Sequence, residues 1–208
     1  MSNLYKMSDI DILYKVYKNL LEMFSDRKYT LPLPISMVNT LDEFKDLYKN
    51  DITNLEFVVT HENNKISIFW SNIEKWGIPQ LRTYIDHMDN ENTNHSILIL
   101  KNSISTFGKK ELEEFNVSYP SKYIEYFEYQ DLLINITKHV LVPKHSILTD
   151  AEKKDLLTKY SIKRDTQIPK IYVTDPIAKY YGCRKGNIVK VIRDSVASTS
   201  YLTYRIVV

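Results

Sequence analysis

Five histidines, one cysteine and a scatter of carboxylates and lysines are the residues of this 208-residue chain with the most chemical reach. His139 and His145 lie close together in "LLINITKHVLVPKHSILT", and paired imidazoles can take a transition metal. No cysteine or carboxylate lies between them, and Lys144 beside His145 opposes a cation, so both read as structural or surface histidines. Cys183 precedes Arg184 and Lys185, whose charges lower a thiol pKa, but no histidine is near in sequence to act as its base. It reads as a semi-buried thiol. Glu56, Glu62 and Lys65 flank a candidate hairpin, the setting in which a nuclease holds a divalent metal. Glu62 and Lys65 fall in the turn instead of alternating along a strand, and read as solvated charges. The only glycines, at 77, 108, 182 and 186, form neither a phosphate-cradling loop nor a dinucleotide fingerprint. These residues point to no catalytic group, no metal and no cofactor.

The basic residues leave two readings open. Lys101, Lys109 and Lys110 bracket the polar loop "NSISTFG". Hydroxyls, amides and lysines at a helix start hold phosphate without reading sequence, and the same pattern describes an ordinary solvated loop. Arg184, Lys185, Lys190, Arg193 and Arg205 either form a basic contact face or alternate outward from an apolar one. Charge also divides the chain: residues 1–137 hold 14 Lys/Arg against 20 Asp/Glu, and residues 138–208 hold 14 against 6. That split implies two units with different partners.

The elements that must position these residues follow from pattern. With 43% apolar and 12% aromatic residues the chain can bury a core, no apolar run is long enough for a membrane span, and no secretory leader is evident. A single cysteine fits a reducing compartment. Leu13, Val16, Tyr17, Leu20, Leu21 and Phe24 form one helical stripe after an N-cap at Ser8, with Asp11 three residues on. Thr40 with Glu43, and Thr149 with Glu152, fit capping boxes. "LEFVVTHENNKISIFW" reads as a hairpin around "HENNK". Leu81, Tyr84, Ile85 and Met88 have helical spacing, and "HSILILK" is a buried strand. Strands alternating with helices predict a small α/β unit over residues 1–137. Residues 138–208 predict a compact α+β unit with a mixed sheet: a capped helix, a strand "IPKIYVTDP" ended by proline, a short helix that Gly182 ends in a left-handed conformation, and two terminal strands. The stretch containing the two histidines reads as the strand and linker between the units.

Several blocks together carry a resemblance. "LLINITKHVLVPKH", "LTDAEKKDLLTKY", "IPKIYVTDPIAKYYGCRKGNIVKVIR" and "YLTYRIVV" closely resemble the fifth subunit shared by nuclear RNA polymerases I, II and III, whose C-terminal domain corresponds to a small component of the archaeal enzyme. The signature is Asp175-Pro176, with Ala178, Tyr180, Gly182 and Gly186 at the family's spacing, continuing into Arg193 and Tyr204-Arg205. More loosely, "SDRKYTL", "LDEFKDLY", "WGIPQLRTYIDHM" and "SILILKNSISTFGKKEL" are similar to the eukaryotic-type jaw domain, and the length suits the two-domain form.

The resemblance implies an α+β protein with a non-catalytic, restriction-endonuclease-like jaw domain (1–137) and a C-terminal assembly domain (138–208). It implies one copy per complex, docked on the largest polymerase subunit among the others, with the jaw beside downstream double-stranded DNA. Asp175, Pro176, Tyr180, Arg193 and Arg205 are the expected subunit-interface residues, and Ser105, Thr106 and Lys109 the expected DNA contacts. The family's Thr-Pro-Ser-Ala-like loop is Ser105-Thr106-Phe107-Gly108 here, without the proline. The turn before the last strand keeps Arg193 and Ser195 but loses the family's proline and glycine. The rival readings are a metal-dependent nuclease of the same N-terminal fold and a free-standing binding module. Heavy use of Asn, Lys, Ile and Tyr fits an AT-rich genome, a protist's with a nuclear protein, or a large DNA virus's with a cytoplasmic factory or virion.

Overall fold

Three helix starts form as the local signals predict. The computed structural model describes residues 8–62, 64–73, 76–193 and 201–208; Ser195 and its turn lie outside them. The Asp11 N–H donates to Ser8 Oγ at 3.3 Å, and the Ser8 N–H donates to the Asp11 carboxylate at 3.2 Å, which begins α1 (Asp9–Asp26). Thr40 and Glu43 exchange the same bonds at the start of α2 (Leu41–Tyr48). α1 buries Leu13, Val16, Tyr17, Leu20, Met23 and Phe24. Met23 replaces Leu21 of the expected stripe, because which flank of the stripe is covered depends on where the sheet lies. The chain forms two compact units, Met1–Ile134 and Asn135–Val208.

In the first unit β1 (Phe57–His61) and β2 (Asn64–Ser71) pair antiparallel. His61 and Lys65 belong to the strands, so the turn is tighter than the polar run predicts. α3 (Ile78–Asn90) crosses to β3 (His95–Leu100), parallel to β2, and α4 (Thr106–Ser118) crosses to β4 (Tyr123–Glu128), parallel to β3. A short α5 (Tyr129–Leu132) follows. The sheet order is β1-β2-β3-β4. β2 and β3 are buried almost end to end, as strands covered on both faces must be. On one face Phe69, Leu98, Leu100 and Ile124 pack with Leu81, Tyr84 and Met88 of α3 and Leu112 and Phe115 of α4. On the other, Tyr17 of α1 stacks on Trp70 with ring centroids 6.4 Å apart, and Phe24 meets Phe57 edge-on.

A charged cluster is buried on the α1 face. Arg27, the C-cap of α1, places Nη2 3.0 Å from Glu125 Oε2 on β4, and His95 Nε2 lies 2.7 Å from Glu125 Oε1. The Arg27 and Glu125 side chains are 5% and 8% exposed. Burial alone would raise the Glu125 pKa, but Arg27 and His95 reverse it and hold it at about 2.

The second unit starts at Asn135, whose side chain caps a 3-10 turn through Thr137 and donates to the Tyr180 hydroxyl at 3.2 Å. β5 (Lys144–Ile147) leads to α6 (Asp150–Lys159), which the Thr149–Glu152 box caps. β6 (Lys170–Ile171), α7 (Pro176–Tyr180), β7 (Ile188–Arg193) and β8 (Tyr201–Val207) complete it. The mixed sheet has the order β5-β7-β8-β6, with only β6 and β8 parallel. β6 is shorter than the expected strand: the Val173 N–H reaches the Val208 carbonyl, and the Asp175 N–H closes a turn onto Tyr172. Leu156 of α6 packs on Ile188 and Ile206 across one face, and Ala178 and Cys183 pack on Val189, Val191 and Val207 across the other. Cys183 is therefore fully buried, where the sequence predicts a half-exposed thiol.

α7 ends in a Schellman motif. The Cys183 N–H donates to the Ala178 carbonyl at 2.8 Å and the Gly182 N–H to the Lys179 carbonyl at 3.0 Å. This requires φ +65° at Gly182. Gly182→Ala is expected to destabilise this unit by about 1 kcal/mol, read as a lower denaturant midpoint.

Candidate functional site

Two surfaces gather the residues singled out by the sequence. The first is the amino end of α4. Ser105 is its N-cap, and Ser105 Oγ accepts from the Gly108 N–H at 3.1 Å. That bond uses one oxygen lone pair and leaves the hydroxyl proton free to donate. Thr106 and Phe107, the first two helical residues, are exposed, and the N–H groups of a first helical turn have no partner within the helix. The loop before them is held from β4: Glu128 accepts from Ser103 Oγ at 2.7 Å and from the Ile104 N–H at 3.2 Å. Gly108 is needed for a close approach, since a Cβ there would lie 2.9 Å from Ile104 Cγ1 and 3.2 Å from Trp76 Cε3.

None of the three lysines at this end stands apart from a carboxylate. Lys101 lies 3.3 Å from Asp9, Lys109 3.9 Å from Glu128, and Lys110 3.7 Å from Glu114. The lysine side chains are all well exposed. Such pairs contribute about 0–1 kcal/mol, so a phosphate can compete for the lysines. The carboxylates considered for a nuclease are not assembled: Glu56 is half-buried before β1, and Glu62 and Lys65 are exposed at the hairpin. Among the described residues no group of three or more His, Cys, Asp or Glu could hold a metal ion, and no helix is long and apolar enough to cross a membrane.

The second surface is on the sheet of the second unit. Strand alternation and the registers Arg193↔Tyr201, Val189↔Arg205 and His145↔Val191 put His145, Arg193, Tyr201 and Arg205 on one face. It is the face that α7 partly covers. Asp175 sits at the amino end of α7, where its Oδ1 accepts from the Ile177 N–H at 2.9 Å, and Pro176 is exposed beside it. Tyr180 is only 4% exposed, with its hydroxyl turned to Asn135, so it fixes α7 and presents no surface.

Sequence reasoning set His145 aside, yet it lies within reach of Asp175, Arg193 and Arg205. Burial lowers its pKa, and the two arginines act in the same direction. The hydrogen bond to the Pro143 carbonyl and the charge of Asp175 oppose them without reversing the shift. The shift favours the neutral imidazole, and Asp175 and the two arginines place opposed charges around it. No spacing rule finds this residue, because its neighbours come from β7, β8 and α7. His139 has a local role: its Nδ1 accepts from the Leu141 N–H.

Comparison with known proteins covers both units. Residues 8–88 match the family described as "RNA polymerase Rpb5, N-terminal domain", and residues 134–207 match "RNA polymerase Rpb5, C-terminal domain". The chain is 34% identical to the Dictyostelium discoideum protein named "DNA-directed RNA polymerases I, II, and III subunit rpabc1", over 97% of this chain and 100% of that protein. It is 32% identical to the Caenorhabditis elegans protein named "DNA-directed RNA polymerases I, II, and III subunit RPABC1", over 94% of this chain and 95% of that one. It is also 32% identical to an Arabidopsis thaliana protein named "DNA-directed RNA polymerase subunit 5-like protein 1", over 97% and 100%.

Proposed function

The chain belongs to the Rpb5 family of DNA-directed RNA polymerase subunits, and from that premise we propose that its second unit docks on the largest subunit while its first lies in the lower jaw beside downstream DNA. It is a non-catalytic, structural subunit, and other polymerase subunits are its partners. Nucleotide addition and its metal belong to the two largest subunits. In a cellular source the location is nuclear; in a viral one it is a cytoplasmic factory or the virion. The observation that carries the docking reading is the clustering of Arg193, Arg205, His145 and Asp175 on one face of a unit rich in Lys and Arg.

The first unit is acidic as a whole, so contact with DNA is confined to the amino end of α4. There the N–H groups of Thr106 and Phe107, the Ser105 and Thr106 hydroxyls and the Lys109 ammonium would meet phosphate oxygens. Thr106 stands where the family has proline, a departure from its loop, and offers an N–H and a hydroxyl at the first helical position. Replacing Thr106 and Lys109 by alanine in the assembled enzyme is expected to weaken its hold on downstream DNA. The salt dependence, plotted as log affinity against log salt, should flatten by about one unit. Unchanged affinity at every salt concentration rejects the contact.

A further inference from the structure

β5 is an edge strand, and one hydrogen bond fixes the phase of its ladder. The Leu148 N–H donates to the Ile188 carbonyl at 2.9 Å, and Ser146 stands opposite Lys190. Bonding alternates along an antiparallel pair, so Ser146 shares the bonded phase of Leu148. The N–H and C=O groups of His145 and Ile147 therefore point away from β7. Among the described residues no strand stands beyond β5 in the sheet, and no backbone hydrogen bond reaches His145 or Ile147 from that side.

The surroundings of this open edge select its occupant. From Lys138 to Thr149 the sequence holds no carboxylate. Lys144 is exposed on β5, Lys190 is half-exposed opposite Ser146, and Arg193 is exposed at the end of β7. The nearest acidic groups are engaged: Asp175 caps α7 and Glu152 caps α6. Just upstream, Val140 is 96% and Leu141 83% exposed on a turn closed by the Val142 N–H on the His139 carbonyl. A second copy of the same edge would set one cationic, carboxylate-free stretch beside another and is disfavoured. An acidic strand meets the opposite charge.

We propose that β5 is extended by an acidic segment of the polymerase subunit that carries this chain. The segment pairs through the main chain of His145 and Ile147, directs carboxylates toward Lys144, Lys190 and Arg193, and sets an apolar side chain against Val140 and Leu141. This rests on the docking reading above and adds its mode and the chemistry of the partner segment.

The test is hydrogen exchange on the free full-length chain and on the assembled polymerase, resolved to single amides. Exchange at His145 and Ile147 is expected to slow about tenfold or more on assembly, and Ser146, already in the ladder, to change little. Fast exchange at both amides in an enzyme that retains the chain overturns the edge pairing and leaves the docking reading standing. Absence of the chain from purified polymerase overturns both. His145→Pro removes an outward N–H without touching the β5–β7 ladder, whereas His145→Ala keeps it. Both variants lack the imidazole, so their difference isolates the N–H: the proline variant is expected to be incorporated about tenfold less than the alanine variant, and equal incorporation of two folded variants overturns the pairing.

Discussion

Arg27→Met is expected to destabilise the first unit by about 3–5 kcal/mol, because it leaves the Glu125 carboxylate buried without its cation. Chemical denaturation of the isolated chain reads this directly, and His95, at 2.7 Å, cannot replace a bidentate guanidinium. Adding Glu125→Leu to Arg27→Met removes the stranded charge and is expected to restore most of the loss. If the single variant falls by less than 1 kcal/mol, the buried pair is not what fastens α1 to β4. Acid gives a second readout. The Glu125 pKa is about 2 in the folded chain against an ordinary value of 4.5. A depressed carboxyl stabilises the fold above its unfolded pKa, so the contribution, on the order of 3 kcal/mol, is complete above about pH 4.5. It is lost as the pH falls from there toward 2. The Arg27→Met variant should show a much weaker acid dependence over that window.

Arg205→Glu is expected to reduce incorporation into the polymerase on the order of 100-fold. The side chain is half-buried on the face shared with His145 and Arg193, and reversing a charge at a desolvated contact removes one attraction and adds one repulsion. Lys170→Glu is the control. Lys170 is exposed on β6 and, through its register with Ile206, lies on the opposite, α6-covered side of the sheet. Competition between tagged variant and unmodified chain during assembly measures both substitutions at once. Equal losses for the two would mean that net charge matters and the Arg205 face does not.

What the sequence made legible was local. Ser8–Asp11, Thr40–Glu43 and Thr149–Glu152 each span three residues, and a cap needs no distant partner to form. Gly182 was legible for the same reason, since the end of a short helix fixes its backbone. The short β6 was not, because its length depends on where Val208 and Ile206 of β8 arrive. The Arg27–His95–Glu125 cluster was invisible because its members come from one helix and two strands, brought together only by sheet register. The setting of His145 was hidden too, because its neighbours are distant in sequence and a metal-spacing rule does not reach them. The family blocks pointed to residues of the C-terminal unit, while the hydrogen bond that holds Tyr180 inside it emerges only in the folded chain.

The phosphate contact proposed for the amino end of α4 would have a consequence for how polymerase moves. Its donors are main-chain N–H groups, hydroxyls and one lysine, and every phosphate looks alike to them. With the proposed contact in place, each phosphate arriving as the template advances base pair by base pair would meet the same donors at the same energy. Glu128 keeps the loop in place between steps, so little is spent on reordering it. On that proposal the first unit would hold DNA as a smooth bearing holds a shaft: it would add traction without adding a sequence-dependent ripple, and pausing at particular bases would be left to other parts of the enzyme.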